Sequence, residues 1–267
     1  MVLEKIFDLT KEDGVNKEIS DTILKEIMKN RNYSISVSEL AELANLSQPT
    51  ITRFVQNNFN LKSYKNFTKQ LNEEVLTYFE HKNEINDIKN NSDLLIKDVI
   101  KTLDEIDSEV LVKAAKMIAG AEKINVTGIA GNSAMKLDIE HKLAQVGKIV
   151  MSGRDWHQEM MNLNSMNEKD LLIIISYSGD KYEMNRIAEK AKTRGIKIIS
   201  FTGNFDSNLR DKSDVVLLAN SSDPKYRTYT TTARVCMMAL WQILFREMIK
   251  YIKIDIDAIE EWKWTML

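Results

Sequence analysis

The 267 residues carry 37 Lys and Arg against 39 Asp and Glu, a formal net charge of −2, with 43% apolar and 28% charged residues. This composition is globular and excludes a largely disordered chain, and the length suits one large domain or two ordinary ones. The single cysteine, Cys236, excludes an internal disulfide and points to a reducing compartment. No apolar run approaches the roughly 20 residues that span a bilayer, and Glu4 and Asp8 come too early for a signal peptide. A cytoplasmic protein with no membrane partner is the expectation.

The first 80 residues show no strand pattern. Ile19, Ile23, Leu24 and Ile27, then Leu40 and Leu43, then Ile51, Phe54 and Val55 recur at helical spacing, so an all-α domain is expected over 1–80. Within it, Ser36 and Glu39 form a capping box that opens one helix. Leu40 and Leu43 would face its core, and Ala41 and Ala44 are small enough for a second helix to cross closely. Asn45-Leu46-Ser47 makes a short turn; Ser47 caps the next helix, with Pro49 in its first turn, where a missing N–H does little harm. Gln48, Thr50, Thr52 and Arg53 are left outward at the N-terminal end, where a recognition helix reads the major groove. A helical hairpin in an interaction domain would satisfy the same pattern.

A net charge of −2 argues against DNA binding only as an average. From Arg31 to Leu71 the basic residues Arg31, Arg53, Lys62, Lys65 and Lys69 face acidic Glu39 and Glu42 alone, a local excess of three positive charges. That modest excess fits a specific dimeric reader of double-stranded DNA.

Residues 81–105 read as a linker and connecting helix: His81 to Asp93 is polar and Asn-rich, and a helical pattern resumes at Leu94. After Gly120 the texture changes. Apolar runs at Ile124–Ile129, Ile149–Met151, Leu171–Ile175, Ile196–Phe201 and Val215–Ala219 alternate with amphipathic helices, which predicts an α/β domain over 106–250 built on a parallel sheet covered on both faces. A last helix, Thr230 to Tyr251, carries Met238, Trp241, Phe245, Met248 and Ile252 as a stripe suited equally to internal core or a dimer seam; 251–267 is a tail.

Two loops in this domain carry chemistry. Leu171–Ile175 runs into Ser176-Tyr177-Ser178-Gly179 and then a helix beginning near Lys181 and Glu183; Ile124–Ile129 runs into Gly128-Ile129-Ala130-Gly131-Asn132-Ser133. Hydroxyls and helix N–H groups converging beyond the carboxyl ends of parallel strands suit an anion, above all a phosphate. Glycine–serine turns after strands are also often only turns. His141, His157 and Glu183 are the candidate bases for an alternative, a phosphosugar isomerase. No His/Cys cluster has metal-ligand spacing and no dinucleotide or P-loop fingerprint is present, so neither a metal nor a cofactor is expected.

The segments Ser36–Ala41, Leu46–Phe54 and Leu61–Phe67 together resemble the N-terminal domain of RpiR-type regulators, with Pro49 where that family more often has a small polar residue. The resemblance implies that Ser47, Gln48, Thr50 and Arg53 approach bases and that Ser36, Lys62, Tyr64 and Lys65 touch the DNA backbone; Arg53 could equally clamp a phosphate. The second half resembles the sugar isomerase (SIS) phosphosugar-binding domain in Gly128-Ile129, Asn132-Ser133, Asp138–Leu143, Gly147, Asp155–His157, Ser176–Gly179 with Glu183, and Ser200–Thr202. It implies a five-stranded parallel sheet, homodimers or homotetramers, and a phosphorylated sugar held by Gly131, Asn132, Ser133, Ser176, Ser178, Gly179, Lys181 and Glu183. Two residues depart from the pattern: Lys181 replaces a threonine whose hydroxyl joins the phosphate site, and Ala130 replaces a glycine. Lys181 could still grip phosphate as a point charge or turn to solvent. The resemblance also leaves room for a SIS domain that only dimerises. On this reading the chain is a transcriptional regulator of sugar metabolism, not an enzyme.

Overall fold

Ser36, extended at φ −75° and ψ 166°, accepts the Glu39 amide at 3.2 Å, while the Glu39 carboxylate takes the Ser36 amide at 2.6 Å. This reciprocal cap starts helix α3 (Val37–Leu43). Ser47 opens α4 (Gln48–Phe59) in the same way, accepting the Thr50 amide at 3.3 Å, and Pro49 sits in the first turn. Both caps stand where the sequence puts them. In the computed structural model, which describes residues 2–61, 63–80, 88–223 and 232–253, the chain divides into two units, Met1–Asn91 and Ser92–Leu267.

The first unit is helical throughout its described residues. To α3 and α4 it adds α1 (Val2–Leu9), α2 (Val15–Asn30) and α5 (Tyr64–Glu80). Ile6, Ile19, Ile23, Leu40, Ile51, Phe54, Phe67 and Leu71 fill one core. Glu74 on α5 accepts the free amides of Val2 and Leu3 at 3.0 and 2.8 Å and so caps α1 from across the domain. Leu43 corrects the expected core: it is 53% exposed. At 100° per residue the buried side of α3 runs through Val37, Leu40, Ala41 and Ala44, and Leu43 falls about 120° from its centre.

Helix α6 (Ile88–Asp104) begins six residues before the expected Leu94. It is followed by α7 (Ser108–Gly120), capped by the Asp107 carboxylate. Then come β1 (Lys123–Thr127), α8 (Ser133–Gln145), β2 (Ile149–Met151), α9 (Trp156–Asn162), β3 (Leu171–Ile175), α10 (Tyr182–Thr193), β4 (Lys197–Thr202), β5 (Val215–Leu218) and α11 (Ala233–Ile249). The five strands are parallel in the order β2-β1-β3-β4-β5. Strand β3 is buried along its whole length, as a central strand covered on both faces must be. Ile124, Val126, Ile173 and Phe201 pack with α7, α8 and α11; Leu172, Ile174 and Ile198 pack with α10 and Leu163 on the other face.

Trp241 and Met248 are fully buried, with Met238 and Phe245 packed at the margin, so the final helix spends its apolar stripe on the core of its own unit. The expected helix residues Thr230 and Thr231, and tail residues 254–267, lie outside the described residues. No helix among the described residues is long and apolar enough to cross a membrane.

Candidate functional site

The outer face of α4 is polar. Gln48 and Arg53 are exposed, Thr50 and Thr52 half-buried. Ser47 and Thr50 share a 2.8 Å hydroxyl contact, and the Thr52 hydroxyl donates to the Gln48 carbonyl at 3.0 Å, so both threonines are held by their own helix. Arg53 has no hydrogen bond or ion pair among the described residues and is free to reach a base or a phosphate. Lys65 is exposed; Lys62 lies outside the described residues. Tyr64 stands differently from the rest. Its hydroxyl contacts that of Tyr33 at 2.9 Å and donates to the Ile35 carbonyl at 3.3 Å, and burial pushes its pKa up. That hydroxyl works inside the helical unit, pinning the start of α5 to the turn before α3.

In the second unit the chain leaves β1 toward β2 and leaves β3 toward β4 on the opposite side, so the neighbouring strands β1 and β3 form the switch point of the sheet. Open parallel sheets bind ligands in the crevice beyond such a point. Both serine-bearing loops start there. Ala130 holds φ +53°, which supports the glycine expected at its position; alanine carries that conformation under strain. Asn132 precedes α8 but caps nothing: its side-chain amide instead donates to the Ile175 carbonyl at 3.2 Å, tying the first loop to the end of β3. Lys181 precedes α10 and provides no side-chain cap either; it is exposed. Among the described residues, the first-turn amides of both helices are thus left without a side-chain acceptor.

Between them, the Ser176 hydroxyl is buried with no hydrogen-bond partner. A buried orphan hydroxyl is costly and calls for an account. Ser178 is 9% exposed and accepts the Asp180 amide only at 3.4 Å. Gly179 holds φ +69°, and a Cβ there would run into Ser207. Ser133 is exposed, Gly131 half-buried and Glu183 half-buried. The Asn132–Ile175 hydrogen bond thus sets the loop carrying Gly131, Asn132 and Ser133 against the end of β3, from which Ser176, Ser178 and Gly179 follow. The open groove lined by Ser108, Glu109, Val112, Lys113, Lys116, Met117 and Lys197 includes none of them.

Three features were not read from the sequence. Lys136, in the first turn of α8, is buried in an ion pair with Glu159 and donates to the Gly153 carbonyl at 2.6 Å; Glu159 also takes the Thr127 hydroxyl. Burial pushes the neighbouring Glu140 carboxyl up, against the pull of Lys136. Asp98 on α6 accepts the Ser222 amide and hydroxyl, both at 2.8 Å, and the Thr232 hydroxyl at 2.6 Å. Arg234, in the first turn of α11, lies against Gly131: a Cβ on that glycine would overlap its guanidinium. Each joins residues far apart in the chain; the only local signal is Lys136 four residues before Glu140.

The candidate bases do not converge by any hydrogen bond. His141 is exposed on α8, and His157 is exposed with its ring 4.0 Å from that of Trp156. No group of three His, Cys, Asp or Glu able to hold a metal occurs among the described residues.

Residues 117–246 match the family model of the SIS domain. An uncharacterized HTH-type transcriptional regulator of Thermotoga maritima is 26% identical over 242 residues, covering 87% of this chain and 85% of its relative. The Vibrio vulnificus NanR protein complexed with ManNAc-6P has the same fold, with a TM-score of 0.63 at 20% identity over 98% of this chain and 97% of that one. The sugar isomerase domain of an RpiR transcription factor from Sphaerobacter thermophilus matches 58% of this chain and 86% of that one, with a TM-score of 0.51 at 20% identity. The chain is thus similar in make-up to RpiR-type transcriptional regulators, with a helical unit followed by a unit that matches the SIS domain.

Proposed function

We propose that the chain is a cytoplasmic, DNA-binding regulator whose operator affinity is set by a phosphorylated sugar in the crevice between β1 and β3. The observation that carries the ligand half is the orphan hydroxyl of Ser176, buried at the switch point between two uncapped helix N-termini. A phosphate would accept from that hydroxyl and from first-turn amides, and the helix dipoles favour its charge. NanR, similar in fold, is complexed with a phosphorylated amino sugar, which supports the same class of ligand here. Gly131, Asn132, Ser133, Ser178, Gly179, Lys181 and Glu183 complete the proposed contact set.

On the DNA side, Ser47, Gln48, Thr50, Thr52 and Arg53 would face the major groove from the start of α4, with Ser36, Lys62 and Lys65 toward the backbone. A homodimer or homotetramer would present two such helices to half-sites about 34–36 Å apart. Coupling would run through α6, which Asp98 and Thr102 fasten to residues 220–222 and 232 in the stretch between β5 and α11. The reading is of a binding sensor, which the relative named as a transcriptional regulator supports. Calorimetry with hexose 6-phosphates and N-acetylhexosamine 6-phosphates tests it. Saturable heat from one of them is expected, and no heat from any, with the protein folded, would overturn it.

A further inference from the structure

We infer that Arg234 is the charged clamp of the crevice, gripping the phosphate of the effector in place of the threonine hydroxyl that Lys181 displaces. This rests on the reading of the crevice as a phosphosugar site.

The guanidinium lies flush against Gly131, the middle of the loop between β1 and α8. Only glycine leaves it that room. Arg234 has no hydrogen bond or ion pair among the described residues. Its fork of donors is therefore unspent. The loop beneath it is tied at 3.2 Å to the end of β3, one residue before the orphan Ser176 hydroxyl. A phosphate has oxygens enough to meet both loops and a guanidinium at once, and planar bidentate recognition of that group is what arginine does best. Arg234 is itself held at the head of α11, where Asp223 accepts the Thr232 and Ala233 amides at 2.7 and 2.8 Å. The clamp thus sits on the same turn as Thr232, the residue bound to Asp98.

The test is calorimetry on the full chain with glucose 6-phosphate, fructose 6-phosphate, N-acetylglucosamine 6-phosphate and N-acetylmannosamine 6-phosphate, each beside its unphosphorylated parent. For the phosphosugar that binds, Arg234→Gln is expected to weaken affinity about ten- to a hundredfold, the range of a charge-assisted hydrogen-bond pair. The salt dependence of binding should flatten with it, which a merely structural role would not produce. Arg234→Lys, keeping the charge without the fork, should fall between. Binding by Arg234→Gln within twofold of wild type, with an unchanged salt slope, would overturn the clamp and leave the phosphosugar reading standing. Should Arg234→Gln melt early, Arg234→Lys decides: equal affinity to wild type overturns the proposal. No heat from wild type with any phosphosugar overturns both.

Discussion

Asp98 and Thr232 stand 134 positions apart in the chain and are joined by a 2.6 Å hydrogen bond. Asp98 is buried in α6, the helix that follows the helical unit in sequence; Thr232 opens α11, two residues before Arg234. Burial pushes the Asp98 carboxyl up, but the hydrogen bonds from Thr232 and Ser222 together outweigh it, and the net shift is downward. A depressed folded-state pKa contributes stability that is fully present above the unfolded value near 3.9 and fades as pH falls through the folded value. Asp98→Asn should therefore lower stability at neutral pH by about 1.5–3 kcal/mol, the range of a hydrogen bond to a charged group. The difference from wild type should shrink in urea titrations carried below pH 4. A pH-independent difference would contradict the assignment.

Arg53 is the cation on α4 left free to read. Arg53→Ala should remove about 1–3 kcal/mol of discrimination if it pairs with a base edge. Anisotropy on a matched and a scrambled operator separates the roles. Loss confined to the matched site is expected; equal loss on both would make Arg53 a phosphate contact.

Tyr64 is expected to behave as a strut. Tyr64→Phe deletes a hydroxyl that meets Tyr33 and the Ile35 carbonyl, which should lower the stability of the helical unit by about 1 kcal/mol. Operator affinity of the folded variant should stay within twofold. A large loss of affinity without a change in melting would return Tyr64 to the DNA backbone.

Ala130 occupies a left-handed conformation at φ +53°. Ala130→Gly should raise stability by about 1 kcal/mol, since the Cβ clash with the following carbonyl disappears. A shift of the urea midpoint upward, with phosphosugar affinity kept, is the expected outcome; destabilisation would mean that the methyl packs usefully.

The strands were legible because each is a continuous apolar run between turn residues, and a strand buried on both faces has no other way to be written. The Ser36–Glu39 and Ser47 caps were legible because capping is local, settled within three residues. Leu43 misled because a helix of seven residues is too short for spacing alone to fix its buried side. The two loops proposed to hold phosphate are read from the order strand, glycine, serine, helix. Arg234, Asp98 and the Lys136–Glu159 pair are not, since their partners lie 23 to 134 positions away or, for Gly131, across the fold on another helix. Spacing carries no trace of such meetings; only the packed sheet creates them.

In the proposed function one molecule links a phosphosugar to DNA. The most direct measurement is the dissociation constant of the full chain for an operator selected from random duplex, with and without a saturating phosphosugar identified by calorimetry. A coupling of about 1–3 kcal/mol predicts a change of roughly 5- to 150-fold in either direction. The same constant in both conditions, with the sugar demonstrably bound, would contradict it.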